Sequence, residues 1–108
     1  MAKRLLDKLV QIRLSKPLLT KMAGLADRRG VHIAVWARDA ILATVDEVSP
    51  AKVPLGPAGR EKVSLRFRSI DLKRVEAARE RSGRGRSDFL RGILMHAAGT
   101  AGAVAKKR

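Results

Sequence analysis

The chain has 108 residues, with 24 Lys and Arg against 10 Asp and Glu, two histidines and no cysteine, for a formal net charge of +14. That length holds one compact domain or two small units sharing a core; the missing thiols exclude disulfides and thiolate metal sites, and the isolated His32 and His96 lack the spacing of a zinc site. A charge of this size attracts polyanions, nucleic acid ahead of ribosomal RNA and anionic membrane, while three aromatic residues, Trp36, Phe67 and Phe89, are too few to stack single-stranded bases, which favours a duplex partner.

At the N-terminus, Met1-Ala2-Lys3-Arg4-Leu5-Leu6-Asp7 becomes charged again too early for a signal peptide. No apolar run anywhere approaches the ~18 residues of a membrane span, so a cytoplasmic location is expected. The stretch Leu9-Val10-Gln11-Ile12-Arg13-Leu14-Ser15 alternates with period 2 and predicts a short strand. Val10, Ile12 and Leu14 point to one face, and Leu9, Gln11 and Arg13 to the other. A helix follows, opening near Pro17, where the missing N–H costs nothing. Its apolar stripe is Leu18, Leu19, Met22, Leu25 and Ala26. Gly24 within it costs about 1 kcal/mol relative to alanine, which a close helix crossing would explain. Arg28-Arg29-Gly30 carries the stop signals of basic last turn and C′ glycine. A second helix then presents Ile33, Trp36, Ala37, Ala40, Ile41 and Thr44, a stripe better suited to a core than to a cofactor.

Residues 48–60 hold three of the four prolines together with Gly56 and Gly59, the composition of a linker without regular structure. Beyond it the pattern returns. Lys62-Val63-Ser64-Leu65-Arg66-Phe67-Arg68 alternates again, a first helix carries Leu72, Val75 and Ala78 with Asp71 in its first turn, Arg81-Ser82-Gly83 ends it, and a second helix carries Phe89, Leu90, Ile93, Leu94 and Ala97. A shift of 53 residues aligns 10–45 with 63–98 without a gap, with Val10/Val63, Arg13/Arg66, Leu19/Leu72, Arg28/Arg81, Gly30/Gly83 and Arg38/Arg91 identical. Apolar character is kept where a shared fold would bury it, which makes an internal repeat the economical reading.

The order strand, helix, glycine turn, helix resembles the ribbon-helix-helix family of DNA-binding proteins, which includes the Arc and methionine repressors. The resemblance rests on Ile12-Arg13-Leu14-Ser15, on Leu19, Met22 and Leu25-Ala26, and on Gly30 followed by Trp36-Ala37-Arg38-Asp39-Ala40-Ile41. In the second half it rests on Leu65-Arg66-Phe67 and on Gly83-Arg84-Gly85-Arg86-Ser87-Asp88-Phe89-Leu90-Arg91. It implies a mainly α fold of two tandem units (β-α-α, linker, β-α-α), residues 1–47 and 61–99, joined by the linker 48–60 and followed by a basic flexible tail, 100–108. The two strands would pair antiparallel into one ribbon, within the chain as an intramolecular pseudo-dimer or between chains as a homodimer; the high effective concentration of a tethered partner favours the former.

A ribbon of that kind enters the DNA major groove with its outward side chains on base edges. The resemblance therefore implies base readers at Leu9, Gln11 and Arg13 and at Lys62, Ser64 and Arg66. Arg13 and Arg66 suit guanine, Lys62 guanine or phosphate, Gln11 suits adenine, and Leu9 departs from the expected polar reader, meeting a thymine methyl or its neighbours. It also implies phosphate contacts at the starts of the second helices, through Ile33 and Ala34 in one half and Arg84, Arg86 and Ser87 in the other. There His32 departs from the family's capping residue and is a poor N-cap, either a simple turn residue or a pH-sensing phosphate contact. No cofactor, metal or catalytic constellation is expected. Tandem units in one chain resemble the TraY-type relaxosome accessory proteins of conjugative plasmids, which implies work at a transfer origin beside a relaxase; transcriptional repression is the alternative, with antitoxin and RNA-binding roles behind both.

Overall fold

A computed structural model describes residues 8–49, 52–54, 56 and 58–107, with side chains as far as residue 99. Two strands and four helices follow one another as β1 (Lys8–Leu14), α1 (Lys16–Arg29), α2 (Ile33–Glu47), β2 (Glu61–Phe67), α3 (Ser69–Ser82) and α4 (Arg86–Lys107) among the described residues. The strands pair antiparallel as a two-stranded sheet, with Leu9 opposite Arg66, Gln11 opposite Ser64 and Arg13 opposite Lys62. Both strands alternate as their sequences predict. Val10, Ile12, Leu14, Val63, Leu65 and Phe67 all face inward and are at most 8% exposed. Burying each is worth about 1.5–3 kcal/mol, and this holds together a ribbon that two strands alone would not.

The helices supply the cover, and each half covers the other. α2 packs on β2 and on α3, and α4 packs on β1 and on α1, while α2 and α4 pack against each other. One continuous core results, running from the ribbon through Met22, Trp36 and Ile41 to Phe89, Leu90, Ile93 and Leu94. α1 starts at Ser15, whose hydroxyl accepts the Leu18 N–H at 3.4 Å. α1 and α3 both end in a left-handed glycine, Gly30 with φ 72° and Gly83 with φ 76°, a backbone conformation that costs glycine little.

The segment between the halves is docked rather than loose. Val53 is buried in the core. A Cβ on Gly92 would lie 2.0 Å from the Pro54 carbonyl oxygen, and one on Gly59 would lie 2.0 Å from the Leu14 backbone. Glycine at both points therefore lets the linker backbone touch α4 at one place and the end of β1 at another. Gly24, in contrast, is open: a Cβ there would meet nothing within 4 Å among the described residues, so no close helix crossing there accounts for the glycine. The flexible tail expected at 100–108 is corrected as well: α4 runs on to Lys107. The stretch beyond Gly99 is rich in alanine and free of proline, so nothing in it stops a helix. Arg108 and the N-terminal residues 1–7 lie outside the described residues.

Asp71, expected only to complement a helix dipole, is 6% exposed and tied down. It accepts from Arg68 at 2.8 and 3.3 Å and from Arg74 at 3.2 Å, and Arg74 reaches on to Asp46 of α2 at 2.5 Å. The hydrogen bond from Arg68 holds the Asp71 carboxyl below its ordinary range, against burial, which pushes it up, and with help from the charges of Arg68 and Arg74. An unfolded Asp near 3.9 takes up its proton before the folded one does, so the stabilisation is complete above that value and is lost as pH falls through the folded one. Asp71→Asn should therefore lower the Tm at pH 7 by about 5 °C, and the difference from the native chain should shrink in acid. Thermal melts at stepped pH check both; a difference that stays constant into acid contradicts this account of Asp71.

Candidate nucleic-acid interface

The outward face of the ribbon is a grid of three rows, each row one residue from β1 beside its partner from β2. Leu9, Gln11, Arg13, Lys62, Ser64 and Arg66 are all exposed, Leu9 by 49%. At the centre Gln11 Nε2 donates to Ser64 Oγ at 3.3 Å. At one end an Arg13 guanidinium nitrogen donates to the Arg60 carbonyl at 3.3 Å, beside Lys62. At the other end Arg66 stands across from Leu9. Thus the structure brings all six strand residues named from the sequence onto one surface. Its polarity is uneven, with two cations in the first row and one cation beside an apolar side chain in the last.

A helix start flanks each edge. The beginning of α4 meets β1 at a cavity of about 300 Å³ lined by Gln11, Ile12, Arg13, Gly59, Lys62, Ser87 and Arg91. The beginning of α2 meets β2 at a shallower, mainly apolar cleft of about 470 Å³, where His32, Ile33 and Ala34 face Lys62, Val63 and Ser64 with Leu19 and Ala23 behind.

The helix-start residues expected to touch phosphate divide into those the structure presents and those it turns inward. Ser87 is exposed beside Arg13 and Lys62. Ile33 and Ala34 lie half-buried at the cleft, but the Ala34 N–H donates to His32 Nδ1 at 3.1 Å. His32 is thus the N-cap of α2, with extended backbone (φ −68°, ψ 148°), its imidazole nitrogen doing what a serine hydroxyl does elsewhere. The expectation of a poor cap is corrected: a neutral imidazole has one acceptor nitrogen, and that acceptor is aimed at the helix start. Arg84 is turned from the ribbon altogether. Its guanidinium donates to the Pro54 carbonyl at 3.0 Å, satisfying an acceptor in a segment that has no ladder to use it. Arg86 binds Glu76 at 2.8 Å. Burial pushes the Glu76 carboxyl up, yet hydrogen bonds from Arg79 and Arg86 outweigh it and hold the group below its ordinary range.

Arg91, Gly59 and Arg60 join the surface without having been singled out from sequence as site residues. For Arg91 a signal existed, since Arg38 and Arg91 are identical across the repeat. The linker pair had none, because its approach to Leu14 is a long-range contact. Among the described residues no cluster of histidine and carboxylate side chains is placed to hold a metal ion, and no helix is long and apolar enough to cross a membrane. No protein-family model, no curated protein and no solved structure matches the chain.

The cap makes a prediction about α2. His32→Ala should cost about 1 kcal/mol by removing the acceptor, whereas His32→Ser should retain stability or raise it. Urea unfolding of the three proteins decides this, and equal stability of the alanine and serine variants contradicts the capping role.

Proposed function

We propose that this chain is a sequence-specific double-stranded DNA-binding protein of ribbon-helix-helix type, whose tandem halves make an intramolecular pseudo-dimer. The observation that carries the proposal is the outward grid: six side chains in three rows, exposed, on a two-stranded ribbon with a helix start along each edge. Outward rows lie about 6.6 Å apart along a strand, so three rows span about 13 Å, close to four base-pair steps of about 3.4 Å. A ribbon is narrow enough for a major groove about 12 Å wide. Arg13, Arg66 and Lys62 then meet guanine edges, Gln11 meets adenine, and Leu9 meets a thymine methyl. The net charge of +14 supplies attraction to the backbone whatever the sequence.

The register supports the pseudo-dimer. Gln11 and Ser64 face each other at the centre of the ribbon and are 53 residues apart, the offset that relates the two halves of the sequence. An approximate two-fold axis through that pair therefore exchanges the halves. α1 and α3 are 14 residues each, and both strands show the same burial pattern. Because the outward residues differ between the halves, a single chain reads an asymmetric sequence. The tandem arrangement favours a role in the cytoplasm marking a plasmid transfer origin for a relaxase, without catalysis by this chain; repression of transcription uses the same surface and differs in where the chosen site lies.

Selection of bound duplexes from a random pool, with sedimentation of the free protein, tests this reading. The expected result is one asymmetric site and a monomer; a palindromic site with a dimer contradicts the pseudo-dimer, and indifference to sequence contradicts base reading. On the selected site Arg66→Ala should relax preference at one base pair and cost about 1–3 kcal/mol. Affinity measured on every single-base variant checks it, and an equal loss on all of them would assign Arg66 to the backbone.

A further inference from the structure

We infer that Ser64 is a positioning residue for Gln11: its hydroxyl oxygen fixes how the Gln11 amide meets the duplex, and with it a preference for adenine at the middle of the bound site. The inference rests on the DNA-binding reading and deepens it, since the central pair becomes one reader and one support instead of two readers.

Gln11 and Ser64 are partners across the strands, between the row of Leu9 and Arg66 and the row of Arg13 and Lys62. Both are exposed, and Gln11 Nε2 donates to Ser64 Oγ at 3.3 Å. A glutamine amide carries two donor hydrogens and one acceptor oxygen. Free to turn over, it offers either end to a base: the oxygen accepts from adenine or cytosine, and the nitrogen donates to guanine or thymine. Such a reader discriminates weakly. With one Nε2 hydrogen held by Ser64, the other hydrogen and the amide oxygen remain side by side. Adenine matches that pattern with its N7 acceptor and N6 donor.

The neighbouring rows offer no substitute for this support. Arg13, Lys62 and Arg66 carry donors only, and Leu9 carries neither donor nor acceptor. Among the six outward side chains, the Ser64 hydroxyl is therefore the one group that can accept from the Gln11 amide. An exposed hydrogen bond adds little to stability, because water competes for both partners. Its weight falls on recognition, where a side chain already oriented has less freedom to lose on binding. The repeat gives the pair a further consequence. Residues 11 and 64 are counterparts at the offset of 53, so a symmetric ribbon would carry two glutamines or two serines at its centre. Here one reads and the other supports, which places the adenine on one strand only.

The experiment measures affinity for the selected duplex and all its single-base variants with the native protein, Gln11→Ala, Ser64→Ala and Ser64→Thr. It also compares the Gln11 side-chain amide by NMR in the free native protein and the two Ser64 variants. Both of these alter an exposed side chain and leave the core untouched. Gln11→Ala identifies the base pair that Gln11 reads. The expected result is that Ser64→Ala lowers the preference for adenine at that same pair about three- to tenfold and leaves other positions unchanged, and that Ser64→Thr, which keeps the hydroxyl, restores it. In the free protein the Gln11 amide signals should move toward those of a solvated glutamine in Ser64→Ala and stay near native in Ser64→Thr. Relaxation at a different pair, an equal loss on every sequence, no change, or a loss that threonine does not restore overturns the role of Ser64 while the DNA reading stands. Amide signals indifferent to Ser64→Ala overturn the contact itself. A native protein without sequence preference overturns base reading, and this inference with it.

Discussion

The pairing register of β1 and β2 is the constraint on which the rest of the structure depends. Six apolar side chains, Val10, Ile12 and Leu14 with Val63, Leu65 and Phe67, leave water together, and the opposite six are thereby turned out. Because strand side chains alternate with period 2, a slip of one residue would expose the apolar set of one strand and bury Gln11 and Arg13 or Ser64 and Arg66 in its place. Stability and the composition of the outward surface are therefore one decision. The helices depend on it too, since α2 reaches across to β2 and α4 to β1, and each loses its floor if the strands separate.

Charge has two uses in this molecule. At long range the net +14 sets up a field that favours any polyanion. At short range many of the arginines are already committed: Arg68 and Arg74 to Asp71, Arg79 and Arg86 to Glu76, and Arg91 to Asp88. These ion pairs lie mainly on α3 and α4, and they distinguish the second half from the first. Leu18 stands where the second half has Asp71, so one half closes its first helix with an apolar contact and the other with an ionic one. The ribbon cations Arg13, Lys62 and Arg66 meet no carboxylate in any hydrogen bond or ion pair among the described residues, so the positive charge of the proposed reading surface is not neutralised by a carboxylate there.

The parts that the sequence made readable are those governed by local period and local chemistry. Alternation located both strands and told inward from outward; the Gly30 and Gly83 stops and the apolar stripes of α1 to α4 lie where helix periodicity puts them. The features that escaped reading all depend on segments distant in the chain. Nothing near Gly92 announces that the Pro54 carbonyl will rest on it. Nothing near Arg84 shows that the linker will claim its guanidinium, and His32 reveals its capping role only once its imidazole has a defined orientation. Gly24 invited a packing explanation because a helical glycine is costly, and its open surroundings show how little a single residue type says about tertiary contact. The length of α4 was misjudged for a different reason: a basic, glycine-containing terminus reads as loose, although alanine continues a helix through it. The same division applies to the candidate site, where the ribbon face was accessible from pattern and the Arg91 cavity was not.

The central claim is that the two strands of one chain zip onto each other. Its most direct measurement is by NMR in a one-to-one mixture of isotope-labelled and unlabelled protein, with edited spectra that separate contacts inside a chain from contacts between chains. The account predicts cross-strand contacts between residues flanking Gln11 and Ser64 within the labelled chain and none between chains. Cross-strand contacts found only between labelled and unlabelled chains, or absent altogether, would contradict it.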